Sequence, residues 1–96
     1  MGKPFVTAAA EWDFTEALAW YAKRSLRAAA GFEAEFDKSL EVIGSDPLRF
    51  PKCDDRHHFY LMGRYPYQVI YREHGPEWLV IAVAHTKRRP GFWRGR

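Results

Sequence analysis

Apolar residues recur at Phe14, Ala17, Leu18 and Tyr21, the i, i+3, i+4, i+7 spacing of one helix face. The pattern predicts a helix from about Ala9 to Arg24. Trp12 and Trp20 widen its stripe, and Trp20 and Tyr21 are expected in the core and at a helix interface. A second stripe of Ala29, Phe32, Phe36, Leu40 and Ile43 predicts a helix from about Leu26 to Ile43, with Glu35, Lys38 and Glu41 on its wet side. Ser25 stands where an N-cap is needed, and Gly44 with Pro47 supplies a stop. So short a joint folds two helices back as an antiparallel hairpin.

Beyond residue 50 the period changes to two. Strands are predicted at His57–Met62, Tyr67–Arg72 and Trp78–His85, separated by turn residues Gly63 and Pro66, then Gly75-Pro76. A short edge strand over Phe5–Thr7 is weakly indicated. On the middle strand Tyr67, Val69 and Tyr71 are expected to share one face, and Gln68, Ile70 and Arg72 the other. On the last strand Leu79, Ile81, Val83 and His85 should alternate with Val80, Ala82 and Ala84. The expected fold is α+β: a helical hairpin on one face of a small three- to four-stranded antiparallel sheet. Two helices cover one face, so the other is expected to be a shallow, open docking surface.

Composition narrows this picture. Ninety-six residues, 47% hydrophobic and 17% aromatic, suit a single domain spanning 1–96 and argue against disorder. Cys53 is the sole cysteine, which removes a disulfide framework and a cysteine-based metal cluster. No apolar run is long enough for a membrane helix, and the N-terminus lacks the layout of a signal peptide. A cytoplasmic protein without cofactor is expected. His57 and His58 are adjacent, so on a strand they point to opposite faces; a solvated strand start is expected there, not a metal site.

Charge is unevenly distributed. Residues 1–48 carry five Lys/Arg against eight Asp/Glu, a balance of −3; residues 49–96 carry ten against four, a balance of +6. The ending HTKRRPGFWRGR, His85–Arg96, holds five of those cations with Phe92 and Trp93 among them. Such a half points to an anionic partner, either nucleic acid or an acidic protein segment. Lys/Arg on phosphates with Trp93 stacking on a base is one possibility, although no regular DNA-docking motif is present. Arg64 and Arg72 are either solvated or in contact with acidic partner residues. His85 is either a structural histidine or a functional one.

The stretch Glu16-Ala17-Leu18-Ala19-Trp20-Tyr21 resembles the "EA..WY" signature of the RelE/ParE toxin superfamily. The likeness continues through Phe32, Phe36, Pro47 and Phe50-Pro51. It then takes in Tyr65-Pro66-Tyr67 with Val69-Ile70-Tyr71, and ends at Val83-Ala84-His85, Arg89-Pro90 and Trp93. The resemblance implies a type II toxin neutralised by a cognate antitoxin with an acidic C-terminal tail, operator DNA being met only through that antitoxin. RelE-like members cut messenger RNA on the ribosome, whereas ParE-like members act against DNA gyrase. The nuclease motif places an arginine where this chain has Gln68, and a tyrosine where it has Trp93. Cleavage through a 2′-hydroxyl needs a general base, a general acid and charge stabilisation. Only His85, with Lys87 and Arg88, remains for that role. The expectation is therefore a ParE-like gyrase inhibitor with no catalytic residues; the alternative is a ribosome-dependent nuclease built on His85, Lys87 and Arg88. The expected antitoxin- or target-binding residues are Arg64, Arg72, His85, Lys87, Arg88, Arg89, Trp93 and Arg94. Within that surface Trp93 is expected to pack near the edge of the fold.

Overall fold

A computed structural model describes residues 2–96. The elements follow as β1 (Phe5–Val6), α1 (Ala8–Ala22), α2 (Leu26–Ser45), β2 (His58–Leu61), β3 (Tyr67–His74) and β4 (Glu77–His85). Both helices start at hydroxyl caps. Thr7 Oγ1 accepts from Ala10 N–H at 3.2 Å and Ser25 Oγ from Ala28 N–H at 3.1 Å, each satisfying a donor the helix leaves free. The hairpin joint Lys23–Ser25 is closed by Ser25 N–H donating to Tyr21 O at 2.8 Å.

The sheet order is β1-β4-β3-β2. The meander β2-β3-β4 is antiparallel as expected, but β1 joins β4 in parallel, so the sheet is mixed. The reason is connection: the chain passes from β1 through both helices and two strands before β4, and no hairpin turn forces the pair antiparallel.

The helix-covered core is rich in aromatics. Phe14 stacks on Phe32 and lies tilted on Phe36 between the helices, Tyr21 lies tilted on Phe32, and Tyr65 and Tyr67 meet Phe32 and Tyr21 edge-on at 5.2–6.3 Å. Gly31 permits this: a Cβ there would collide with the Tyr65 hydroxyl, which donates to Ala28 O at 2.9 Å. At the far end Tyr71 donates to Pro47 O at 2.6 Å. Burial, helped by the charge of Asp46, raises the pKa of Tyr71 to about 12. Trp12 and Trp20 depart from expectation. They are 66% and 51% exposed, because α1 turns Ala10, Phe14, Ala17 and Tyr21 inward and leaves both indoles outside.

Strict alternation fails on β4. Ile70 pairs with Ala82 but Tyr71 pairs with Val80, so Ile81 is an extra residue, a β-bulge. Trp78 and Val80 therefore face the helices before the bulge, and Val83 after it, while Leu79, Ile81, Ala82 and Ala84 line the second face. The expected single face of Leu79, Ile81, Val83 and His85 is split in two.

The second face is not open either. Residues 86–96 fold across it as a strap. Trp93, 4% exposed, sits in a second core with Ile70, Ile81, Ala82 and Ala84, flanked by Phe59, Leu79 and Phe92. Apolar side chains on an uncovered face would lose roughly 25 cal/mol per Å² of burial, and the nearest free segment supplies the cover.

Candidate functional site

The histidines at the start of β2 are buried, not solvated. His58 stacks on Tyr71 with centroids 5.2 Å apart and donates from Nδ1 to Phe50 O at 2.8 Å. His57 Nδ1 lies 2.9 Å from both Asp54 oxygens. Partial burial opposes the charge on Asp54, but the N–H groups of Arg56 and His57 and the His57 ring together hold its pKa down at about 2. Among the described residues, no group of three His, Cys, Asp or Glu side chains gathers as metal ligands. Burial raises the pKa of the Cys53 thiol, with the neighbouring Asp54 adding to it, so the thiol stays protonated.

A groove of about 350 Å³ lies between α1 and the far end of β4. Trp20, Tyr21, Tyr67 and Pro66 give it aromatic and apolar walls; Asp13, Glu16, His85 and Arg88 bring charge and hydrogen-bonding groups. It exists because β1 is too short: beyond Val80 no strand covers the outer edge of β4. Side chains occupy that edge instead. Asp13 Oδ2 accepts from Val83 N–H at 3.1 Å and from Arg96 Nη1 at 2.6 Å, and Arg96 Nη2 reaches Oδ1 at 3.2 Å. Arg96 Nη1 also donates to Ile81 O at 3.0 Å, so the bulge carbonyl and the next edge amide are both satisfied. Asp13 is 6% exposed and Arg96 is its ionic partner, as a buried carboxylate requires.

His85 forms the groove's inner corner. Its ring meets Tyr67 edge-on at 5.0 Å, and its Nδ1 accepts from Lys87 N–H at 3.0 Å. The Nδ1 lone pair of His85 is thereby engaged by the backbone. Burial raises the pKa of both Tyr67 and Tyr21, with the neighbouring tyrosines adding to the shift at Tyr21, which keeps both phenols protonated.

The other expected site residues scatter. Arg88 lines the groove and stacks on Phe92 at 3.8 Å. Lys87 and Arg89 are exposed at the start of the strap, and Arg94 lies 3.6 Å from Asp54. Arg64 sits exposed in the β2–β3 turn with φ +69°. Arg72 lies on the strap side, where Nη1 donates to Glu73 O at 3.1 Å and Nε is buried without a protein partner. Trp93, named as part of the binding surface, is core. Gln68 alternates with Tyr67 and Val69, so it also faces away from the groove. Sequence reasoning missed Asp13, Glu16, Tyr67 and Arg96. One signal was available for Asp13: a lone acid within the apolar stripe of α1, between Ala10 and Ala17.

Residues 5–90 match the model of the family described as the ParE toxin of type II toxin-antitoxin system, parDE. No curated protein is matched by sequence. Among solved structures, a chain of the chromosomal ParDE TA system from P. aeruginosa is similar in fold. Its TM-score is 0.77 at 13% identity, over 88% of this chain and 96% of that one. The family match spans nearly the whole described fold, from β1 through the helical hairpin and meander to the start of the strap, and the chain belongs to the ParE toxin family.

Proposed function

We propose that this ParE-family toxin acts in the cytoplasm by binding and inhibiting DNA gyrase, and not by cutting RNA. One observation supports this above others: neither the histidine nor the tyrosines of the groove offer a free base. The His85 lone pair at Nδ1 is taken by Lys87 N–H, and the two tyrosines beside it are held protonated by burial. The two nuclease-motif positions, Gln68 and Trp93, face the opposite side of the sheet from His85. General acid–base work needs donor and acceptor converging on one phosphate, and these groups do not converge.

A cognate antitoxin with an acidic tail is the second partner. The groove and the exposed indoles of Trp12 and Trp20 supply apolar anchoring area along α1. Lys87, Arg88 and Arg89 bring positive charge beside the groove, where an acidic tail would be steered, and Arg64, Arg72 and Arg94 add to the field from elsewhere on the surface. Operator DNA is reached through the antitoxin, since the described residues form no regular DNA-docking element.

Paired assays test the reading. Purified wild-type and His85→Ala proteins are expected to block supercoiling by gyrase equally. Codon-dependent cuts in a translation extract that disappear with His85→Ala would overturn it in favour of the nuclease alternative, with Lys87 and Arg88 as the charge-stabilising residues.

A further inference from the structure

The strap is tied down at Asp13, and Asp13 is also a wall of the groove. One carboxylate, at the edge of β4, therefore joins the end of the strap to the groove. On the strap side it holds the Arg96 guanidinium with two hydrogen bonds across 83 positions of sequence. On the groove side it stands with Glu16, whose carboxylate is exposed and makes no ion pair among the described residues. Trp20, Tyr21 and Tyr67 supply ring surface around them. Two carboxylates among aromatic rings are the chemistry that recognises a guanidinium, by forked hydrogen bonds and by stacking. Arg96 already shows that Asp13 takes that group.

Beyond the packing of Trp93 in the second core, the strap's other side-chain ties are weak. Its other ion pair, Arg94 with Asp54, is 3.6 Å long with the arginine side chain 66% exposed. Its anchor Trp93 leaves the indole N–H buried and without a protein acceptor. Gly91, at φ +87°, provides a left-handed bend that a side chain would strain.

We propose that the Arg96–Asp13 pair is a releasable latch. An arginine side chain of a protein partner enters the groove, takes Asp13 and Glu16, and frees Arg96 together with the strap. The second sheet face, Ile70, Ile81, Ala82 and Ala84, is then uncovered only when the groove is filled. The inference rests on the groove being a docking surface. It adds the chemistry of the anchor and the consequence of filling the site. By linkage, whatever loosens the strap must tighten binding of the arginine.

The test uses the full chain and acetyl-arginine-amide as probe, read by NMR. Ring signals of Trp20 and Tyr67 report the groove, and solvent exchange of the Trp93 indole N–H reports the strap. Saturable shifts in the groove are expected together with indole exchange at least about tenfold faster, the mark of a local opening. Acetyl-lysine-amide at equal ionic strength should do much less, because an ammonium lacks the planar fork. Arg96→Lys keeps the charge but loses the fork. It should show fast indole exchange without the probe and bind the probe more tightly. Groove shifts with no change at Trp93 would overturn the latch while leaving the groove as a docking surface. No groove shift at all would overturn the arginine assignment as well. Neither result bears on gyrase inhibition, which the supercoiling assay reads separately.

Discussion

The two faces of the sheet are closed by different means. On one side the helical hairpin covers Val69, Tyr71, Val80 and Val83 with a continuous aromatic layer from two capped helices. On the other, eleven residues without regular secondary structure cover Ile70, Ile81, Ala82 and Ala84 with one tryptophan and two Arg–Asp pairs. The first cover is built from local structure that packs on many neighbours. The second is a single layer held at its ends, so it is the face that a partner's binding energy can open.

The comparison is broken first by attacking the helix face. Phe32→Ala removes a fully buried ring that touches both Phe14 and the tyrosine cluster, and should cost about 3–5 kcal/mol in chemical denaturation. A smaller loss than that of Trp93→Ala would contradict the ranking of the two faces. Trp93→Ala itself should cost about 2–3 kcal/mol. The ring is as buried as a core ring, but it leaves an unpaired N–H behind, so removing it recovers part of the loss. Trp93→Phe, which deletes that N–H and keeps a ring, should lie within about 1 kcal/mol of wild type.

Asp54 sharpens the comparison through pH. It anchors both His57 and Arg94, and its pKa is lowered to about 2. A depressed carboxylate stabilises the fold above its ordinary pKa of 3.8, and that stabilisation is lost as pH falls through about 2. Solvent screening reduces the effect, which should be about 1 kcal/mol. Urea melts between pH 5 and 2 should show this acid limb in wild type and a much reduced limb in Asp54→Asn. The smallest change in stability is expected at the groove. Trp20→Ala loses an exposed indole and its stacking with Arg24, so stability should stay within about 1 kcal/mol. Its effect should appear instead as weaker antitoxin binding by isothermal titration; unchanged affinity would remove Trp20 from the interface.

Much was legible along the chain. The stripe Ala29, Phe32, Phe36, Leu40, Ile43 lies buried as spaced, and Ser25 caps the second helix as placed. The meander and its turns also stand where the period of two puts them. These features depend on neighbours a few positions away, which periodicity records. The bulge at Ile81 does not: it inserts one residue without any glycine or proline to mark it, and every face assignment beyond it inverts. The strap is only partly legible for a related reason. HTKRRPGFWRGR is basic and short, so its charge points to a binding surface, and its motif places Trp93 at the edge of the fold, not in a core. What Trp93 does depends on an apolar face assembled from β3 and β4, and that face exists only once the sheet has formed.

The sequence by itself determined the two helices, the three-stranded meander, the toxin superfamily and the basic second half, because each is written in local spacing or in ordered motifs. Only the tertiary structure decided which residues meet. It brought Asp13 to Arg96, moved Trp12 and Trp20 to the surface, and closed the sheet face that had been expected to stay open. It also made a groove from the end of a central strand whose edge partner stops after two residues. The reason is distance along the chain: pairings across 70 and 83 positions leave no period to read, and they form where unsatisfied backbone groups and buried charge must be answered.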